Sequence, residues 1–259
     1  MDMGLKDAVV LVTGGTGGIG RRTALAFAAE GARVAITYRS REDVAKAVAD
    51  EIADAGGEPY VVPMTLNDPE SIEAAVRGTT DHFGGLDVLV ANAVDWGSSD
   101  FHNRPTRIED ATDEQWQPVI RANLEGNFRL VRHAAPALRN SAAGRVVLLS
   151  SDIAESGFIG SWAYGAAKAG LHGLAVSLAH DLGRDGVLVN VVLAGVTLDD
   201  GHHRVIPDQM VASIAEKYPA NRLATSDDVA AAVLYLSSRR NGATTGEILH
   251  VTGGRPTAA

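Results

Sequence analysis

The sequence predicts an α/β protein built on one parallel, doubly wound sheet with helices on both faces. Short β-rich runs alternate with longer Ala-rich amphipathic segments along the whole chain. Most of the short runs are continuously apolar, which is typical of parallel strands covered on both faces. The chain has 259 residues, which suits one large domain, so residues 1–259 are expected to form a single dinucleotide-binding and catalytic domain.

Seven strands are predicted, at 8–13, 33–38, 59–64, 86–91, 145–150, 187–193 and 247–252. Six helices are predicted between them, at 18–30, 41–55, 69–82, 113–139, 161–182 and 226–238. Two of these helices carry start signals. Asn67 or Asp68 precedes Pro69 and Glu70 in a first turn, and Thr112 precedes Gln115 in a pattern similar to a capping box. Strands joined through helices in this way pair in parallel through right-handed crossovers.

Two irregular segments, 94–111 and 195–222, interrupt the alternation and each follows a predicted strand. Ligands of open α/β sheets bind at the carboxyl ends of the strands, so both segments are expected to line the substrate. Trp96 is interpreted as an aromatic wall of the substrate mouth, with a packed residue of a solvated loop as the alternative. His202 is expected to face the substrate from a lid. The pair formed with His203 lacks the ligand cluster that a metal site needs, so no metal is predicted.

The composition excludes several functional classes. The chain is 46% hydrophobic and carries a formal net charge of -9, with a pI of about 5.3. An acidic surface argues against a nucleic-acid-binding protein. The chain has no cysteine, which excludes disulfides and thiolate zinc sites. Neither a signal peptide nor a long apolar span is recognisable, so a soluble cytoplasmic protein without membrane contact is expected.

The segment "TGGTGGIG" at 13–20 follows the first predicted strand and opens the first predicted helix. Gly14, Gly18 and Gly20 permit a tight turn, a close backbone approach to an anion and close helix packing. A pyrophosphate binds well at such a helix N-terminus, with Thr16 and Ile19 in the same turn. In this context the motif indicates a dinucleotide site rather than a merely flexible turn.

The tip of the second strand indicates which dinucleotide. An acid about 20 residues after the glycines would bind the ribose 2′-OH of NAD. The segment "TYRSRED" places Arg39 and Ser40 there instead. A guanidinium suits a 2′-phosphate, which favours NADP(H). The alternative is that Arg39 and Arg41 are solvated charges that pair with Glu42 or Asp43.

Tyr164 and Lys168 stand four residues apart in "AYGAAKAG", so they share one face if 161–182 is helical. An unperturbed tyrosine has a pKa near 10, and a neighbouring ammonium favours its phenolate. The pair therefore suits a tuned acid or base. Taken alone, the pair is better explained as a half-buried tyrosine beside a surface lysine, and only the rest of the chain favours the catalytic interpretation.

Four segments together, "TGGTGGIG", "VLLSS", "YGAAK" and "TGEILHVTGG", resemble the short-chain dehydrogenase/reductase family, in the expected order and over nearly the whole chain. The resemblance implies a Rossmann-type sheet, a small-molecule carbonyl substrate and a homo-oligomer, with a tetramer favoured over a dimer. It implies that Tyr164 is the general acid or base and that Lys168 lowers its pKa and binds the nicotinamide ribose. Ser151 would hold the substrate oxygen, with Ser150 as the alternative. Asn123 would order a proton-relay water.

The resemblance also implies which residues would contact the cofactor and which would line the substrate. Its cofactor contacts would be Gly14, Thr16, Gly18, Ile19, Gly20, Arg39, Ser40, Leu66, Asn92, Ala93, Tyr164, Lys168, Ala194, Gly195, Val196 and Thr197. Its substrate-lining residues would be Trp96, Ser151, Ile153, Tyr164 and His202.

The chain departs from the family pattern at three positions. Val94 replaces a glycine close to the cofactor, Ala194 replaces a proline, and Thr65 stands where an aspartate is usual. These departures concern the cofactor contacts and leave the proposed catalytic groups intact. The Tyr-to-Lys spacing resembles that of ketoreductases, because enoyl-reducing members space the two more widely.

The resulting hypothesis is an NADPH-dependent reductase of a ketone, preferably a cyclic or polyketide-like one. The alternatives are a 3-oxoacyl thioester reductase, an NAD-dependent alcohol dehydrogenase, and a non-catalytic NADP-binding sensor on the same fold.

Overall fold

A computed structural model describes residues 2–97, 107–199 and 208–254. Its strands are β1 (Val9–Val12), β2 (Arg33–Tyr38), β3 (Glu58–Pro63), β4 (Val88–Ala91), β5 (Arg145–Ser151), β6 (Leu188–Ala194), β7 (Thr197–Leu198), β8 (Ala224–Thr225) and β9 (Ile248–Val251). Seven of them form one parallel sheet in the order β3-β2-β1-β4-β5-β6-β9. The predicted fold class is therefore confirmed.

The strand order reverses between β1 and β4. Val10 of β1 pairs with Val34 of β2 on one side and with Val88 of β4 on the other. The chain thus builds outward to β3 and then returns to the middle of the sheet to begin β4. A crevice opens at the carboxyl ends of two strands whose connections leave in opposite directions, and ligands of doubly wound sheets bind there.

The helices cover both faces of the sheet. They are α1 (Gly18–Ala29), α2 (Glu42–Asp54), α3 (Pro69–Phe83), α4 (Asp113–Ile120), α5 (Asn127–Asn140), α6 (Ile153–Ser156), α7 (Trp162–Leu182), α8 (Asp208–Ala215) and α9 (Ser226–Ser237). One core packs α3, α5 and α7 against the sheet, and the other packs α1, α2 and α9. Strands buried from both sides explain the continuous apolar runs of the sequence.

Both predicted helix starts are confirmed. The side chain of Asp68 accepts a hydrogen bond from the backbone N–H of Glu70 at 3.0 Å, and Pro69 follows in the first turn of α3. Thr112 and Gln115 form a capping box at the start of α4. These side chains satisfy donors that an α-helix leaves without partners.

The predicted helix 113–139 is interrupted. Residues Arg121–Gly126 form a π-helix between α4 and α5. A Cβ on Gly126 would lie 2.8 Å from the carbonyl oxygen of Leu66, so this segment passes very close to the end of β3. Asn127 Nδ2 donates to the carbonyl of Asn123 at 2.7 Å, which stabilises the altered turn. Inserted π turns of this kind are frequent at functional sites.

The described parts of the two irregular segments contain some regular structure. Residues 195–222 contain β7 and α8, and β7 pairs with β8. Residues Ile108–Asp110 form a 3₁₀ turn within 94–111. Residues 98–106 and 200–207 lie outside the described residues, and so does the predicted substrate contact His202. Over the described ranges, no helix combines the length and apolar character that a bilayer span requires.

Candidate active site

The turn after β1 is shaped by its glycines. Gly14 has a φ of 66°, in the left-handed region that favours glycine, and its N–H donates to Thr37 Oγ1 at 2.9 Å. A Cβ on Gly20 would overlap the carbonyl oxygen of Gly14 and lie 2.5 Å from Asn92 Nδ2. Gly20 therefore allows α1 to pack directly on the turn.

The outer side of the same turn is open. Gly17 is extended, with a φ of -173°, and a Cβ there would meet no described atom within 4 Å. Helix α1 begins at the next residue and has no acid in its first turn. The free N–H groups and the dipole of a helix N-terminus favour an anion. Thr16, Gly18 and Ile19 border this space as half-buried residues, so the turn fits a pyrophosphate.

Asn92 connects the turn to β4. Its Nδ2 donates to the carbonyl oxygens of Thr13 at 2.9 Å and Gly14 at 3.2 Å. The backbone N–H groups of Asn92 and Ala93 both donate to Thr13 Oγ1 at 3.0 Å. These bonds fix the two sides of the crevice between β1 and β4.

The remaining predicted cofactor contacts lie at neighbouring strand ends. Leu66, after β3, has its side chain in the core and is 5% exposed. After β6, a Cβ on Gly195 would lie 3.0 Å from Thr252 Cα, and Thr197 Oγ1 donates to the Gly195 carbonyl at 2.9 Å. Val196 packs beside Tyr218 in a small apolar cluster. These residues lie at the carboxyl ends of β3 and β6, and their contacts with a cofactor stay a prediction.

Arg39 extends from the end of β2 and is largely exposed. Its Nη1 lies 3.5 Å from Asp95 Oδ2, on the segment after β4. Glu42, the acid suggested as a partner, instead pairs with Lys46 Nζ at 2.8 Å. Ser40 is exposed beside Arg39. The Arg39 guanidinium therefore extends toward the segment after β4, which carries Asp95 and borders the crevice.

Tyr164 and Lys168 are both buried on α7, at 8% and 2% exposure. Lys168 Nζ lies 5.6 Å from the centre of the Tyr164 ring and donates to the Leu149 carbonyl at 2.7 Å. Burial lowers the pKa of Lys168 from 10.5 to about 8. The lysine is therefore still mostly protonated at neutral pH, as a positive charge beside a phenol.

The two serines that end β5 differ in their surroundings. Ser150 is 5% exposed, and its hydroxyl donates to the Lys168 carbonyl at 3.2 Å and lies 2.8 Å from His172 Nε2. Ser151 is more exposed; its hydroxyl donates to Asp152 Oδ1 at 3.2 Å and accepts from the N–H of Ile153 at 3.3 Å. Ser150 is thus occupied by α7, whereas Ser151 lies at the open strand end. Burial raises the pKa of the Asp152 carboxyl.

Asn123 lies in the π-helix and is fully buried. Its Nδ2 donates to the carbonyls of Asp95 at 2.6 Å and Val119 at 2.9 Å, and its Oδ1 accepts from the N–H of Asp95 at 3.2 Å. The side chain therefore holds the segment after β4 in place. The π-helix also packs on α7, where a Cβ on Gly170 would lie 2.9 Å from Leu124 Cδ1.

An aromatic pocket lies beside Tyr164. The Trp96 and Tyr164 rings lie 4.2 Å apart between centres, at an angle of 30°. All three tryptophans of the chain line this pocket, together with polar groups of α4 and the start of α7: Trp96, Trp116, Trp162, Thr112, Gln115 and Ser161. Trp96 thus forms one side of this pocket, and its role as a wall of the substrate mouth stays a prediction.

Sequence reasoning missed three residues of this region. Trp116 and Trp162 occupy different helices, and no local pattern relates either of them to Trp96. Asp95 had a usable signal, because it follows "ANAV" directly at a strand end. Its contact with Arg39 joins two distant parts of the chain, so sequence spacing does not reveal it.

Comparison with known proteins agrees with this geometry. A family model described as enoyl-(acyl carrier protein) reductase matches residues 14–255. The 3-oxoacyl-(acyl carrier protein) reductase of Escherichia coli is 36% identical over 97% of this chain and 98% of its own length. The Staphylococcus aureus protein of the same name is 33% identical over 94% and 96%.

Solved structures match the whole fold. A dehydrogenase/reductase from Sinorhizobium meliloti superposes with a TM-score of 0.86 at 33% identity and covers 98% of this chain and 96% of its own. A short-chain dehydrogenase from Burkholderia cenocepacia, solved in complex with NADP, gives 0.84 at 30% identity, with 96% and 98% covered. The glycine turn, the Tyr164–Lys168 pair and these full-length matches lead to one conclusion: the chain belongs to the short-chain dehydrogenase/reductase family.

Proposed function

We propose that this protein is an NADPH-dependent reductase of a ketone carbonyl, with Tyr164 as the general acid. The observation that carries the proposal is the buried pair of Tyr164 and Lys168 at the sheet edge that also holds the glycine turn. A tyrosine hydroxyl next to a buried ammonium suits a group that must give up a proton and become a phenolate.

The proposed cofactor is NADP(H). The relative from Burkholderia cenocepacia was solved with NADP. In this chain the open side of Gly17 at the start of α1 fits the pyrophosphate, and Arg39 offers a guanidinium for a 2′-phosphate. Arg39, Ser40 and the other strand-end residues named above would hold the cofactor. When bound, its nicotinamide supplies the hydride.

The chain's own residues would manage the oxygen of the substrate. Ser151 and Tyr164 would each donate a hydrogen bond to the carbonyl oxygen, which stabilises the negative charge that develops there. Tyr164 would then transfer its phenolic proton to that oxygen. The ammonium of Lys168 would favour the phenolate that remains. Asn123 would position the segment after β4 and order the water that returns the proton.

The reaction class is carbonyl rather than alkene reduction. The matching family model is described as an enoyl reductase, whereas the relatives named above are 3-oxoacyl reductases. The four-residue spacing of Tyr164 and Lys168 favours the second activity, as the family resemblance implies. A proton donor for oxygen is also what the buried phenol provides.

The proposed substrate is a cyclic or polyketide-like ketone. The pocket beside Tyr164 is lined by Trp96, Trp116 and Trp162, and flat rings pack well against such faces. A linear 3-oxoacyl thioester is the alternative, supported by the names of the relatives. The Trp96 ring lies against the Tyr164 ring, with a tilt of 30° between them, so an aromatic surface adjoins the proposed proton donor.

Turnover of a ketone panel tests the proposal. We expect NADPH oxidation with bicyclic aromatic ketones at a higher kcat/KM than with an acetoacetyl thioester. Tyr164→Phe should reduce kcat by at least about 100-fold, since it removes the transferred proton, and should leave NADPH binding nearly unchanged. The matched control is Tyr235→Phe, on the exposed face of α9, which should keep full activity.

Three outcomes would contradict parts of this proposal. Undiminished turnover by Tyr164→Phe rejects the assigned proton donor. NADPH binding without turnover of any carbonyl favours the non-catalytic sensor. A higher kcat/KM with NADH than with NADPH rejects the cofactor assignment to Arg39.

A further inference from the structure

The carboxylate of Asp95 lies among groups from three strand ends. One oxygen, Oδ2, lies 3.5 Å from Arg39 Nη1 after β2 and accepts from Asn67 Nδ2 after β3 at 3.0 Å. The other oxygen, Oδ1, accepts from the N–H of Gly97 at 3.0 Å. Asp95 is about one-fifth exposed, so its charge remains in contact with solvent.

The topology makes this position unusual. Strands β3, β2, β1 and β4 are neighbours in that order, and Asp95 follows β4. The contacts of Asp95 with Arg39 and Asn67 therefore join groups on either side of β1, whose end begins the glycine turn. The negative charge therefore lies over the crevice in which the adenosine half of a dinucleotide is proposed to bind.

We propose that Asp95 is a specificity-determining residue that weakens the preference for 2′-phosphorylated over unphosphorylated dinucleotides. The inference rests on the proposed function, because it takes the adenosine ribose to lie beside Arg39. Asp95 occupies the guanidinium that a 2′-phosphate needs, and its charge repels the phosphate. The same carboxylate is an acceptor for a free 2′-hydroxyl, the role that an acid at the tip of β2 has in NAD-binding proteins.

The substitution that tests Asp95 must leave its backbone contacts intact. Its N–H and carbonyl are both bonded to the side chain of Asn123, and the next residue, Trp96, stacks on Tyr164. Removal of the side chain would disturb these contacts. Asp95→Asn has nearly the same shape and keeps one acceptor oxygen, for Gly97 or Asn67, while it removes the charge and turns the other oxygen into an NH₂ donor.

The test measures binding of two small probes that contain only the adenosine end, adenosine 2′,5′-bisphosphate and 5′-AMP, by calorimetry at low ionic strength. We expect Asp95→Asn to bind the bisphosphate about five- to tenfold more tightly, which is the size of a charge–charge effect at several ångströms in a solvated crevice. Binding of 5′-AMP should stay equal or weaken. Added salt should reduce the gain.

A matched variant controls for net charge. Asp81→Asn makes the same charge change on an exposed position near the end of α3 and should alter neither affinity. Arg39→Gln should lower the affinity for the bisphosphate but not that for 5′-AMP. When Arg39→Gln is already present, Asp95→Asn should have a smaller effect.

Failure of this inference is distinct from failure of the cofactor assignment. If the wild type prefers the bisphosphate and Asp95→Asn leaves the ratio of affinities unchanged, the role of Asp95 is rejected while NADP(H) stands. If the wild type binds both probes alike but Asp95→Asn acquires the preference, Asp95 is supported as the group that suppresses it. If both proteins bind the probes alike, both proposals are rejected.

Discussion

Lys168 carries an energetic cost that belongs to its proposed function. It is 2% exposed, and burial lowers its pKa to about 8, from 10.5 in the unfolded chain. Below pH 8 the folded protein must hold a buried ammonium that the unfolded chain leaves in water. As the pH rises from about 8 to 10.5, the folded state loses its proton first, so this cost declines and the contribution to stability improves.

Replacement of Lys168 by methionine should therefore stabilise the protein in a pH-dependent way. Lys168→Met should raise the free energy of unfolding at pH 7 by on the order of 3 kcal/mol at most, since each pKa unit corresponds to about 1.4 kcal/mol. The gain should shrink at pH 9.5. Urea denaturation at the two pH values measures it, with the exposed Lys6→Met as control. An equal gain in the free energy of unfolding at both pH values would contradict the proposed cost of the buried ammonium.

Individual side chains differ in how far the sequence reveals them. The pairing of Tyr164 with Lys168 follows from helical spacing, which is local information. The family resemblance favours Ser151 and leaves Ser150 as the alternative, and only the structure shows the contacts of Ser150 with α7 that distinguish the two. The pairing of Arg39 with Asp95 depends on the meeting of two distant strand ends. Contacts between distant residues depend on packing that no single-sequence pattern encodes.

At the scale of elements, the turn between β1 and α1 has two sides, one that packs against the protein and one that is open to a ligand. The inner side, at Gly20, is filled by Gly14 and Asn92, and the outer side, at Gly17, is open. An extended φ of -173° at Gly17 suits any residue. Side chains on the two sides should therefore affect folding and ligand binding separately.

The pair Gly17→Ala and Gly20→Ala tests this division. Gly20→Ala should destabilise the fold by about 2–4 kcal/mol, because the added methyl overlaps backbone. Gly17→Ala should leave the melting temperature within a degree or two but weaken NADPH binding at least about tenfold, because its methyl occupies the pyrophosphate space. Thermal unfolding and cofactor titration measure the two effects. Unchanged NADPH affinity in Gly17→Ala would place the pyrophosphate elsewhere.

The helix predicted at 113–139 shows the limit of periodicity at this scale. Its apolar pattern correctly indicates helix throughout, and its capping box fixes the start. The π turn at Arg121–Gly126 depends on the contact of Gly126 with Leu66 and on the bond from Asn127 to Asn123. Both involve positions that a helical repeat does not distinguish.

At the scale of the whole molecule, β9 pairs with β6 on one side only and forms one of the two edges of the sheet among the described strands. β9 is the last strand of the order, and Leu249 on β9 is 38% exposed; Val176 of α7 is exposed as well. Edge strands with exposed apolar residues pair readily with another chain. We therefore propose this edge as an interface of the homo-oligomer that the family resemblance implies, and the tetramer stays an expectation from that resemblance.

Sedimentation equilibrium should therefore give four times the chain mass of 27.0 kDa. Leu249→Asp should shift the mass to a smaller species, because it places a charge in the apolar contact. Gln117→Glu, an equally charge-changing substitution on exposed α4 surface, is the comparison variant. A wild-type monomer at micromolar concentration would reject the tetramer, and an unshifted Leu249→Asp would reject this edge as its interface.

The sequence by itself determined the layers, the parallel sheet and the candidate chemistry. Continuous apolar runs specify strands buried on both faces, and short-range patterns specify the glycine turn and the Tyr164–Lys168 pair. Each of these features is encoded within a few consecutive residues, so the sequence displays it directly.

Only the tertiary structure decided what surrounds that chemistry. It assembled Trp96, Trp116 and Trp162 into one pocket, buried Lys168 deeply enough to lower its pKa, and placed the carboxylate of Asp95 against Arg39. These arrangements join residues far apart in the chain. They arise because parallel strands bring distant loops to one edge of the sheet, where burial and charge then act between them.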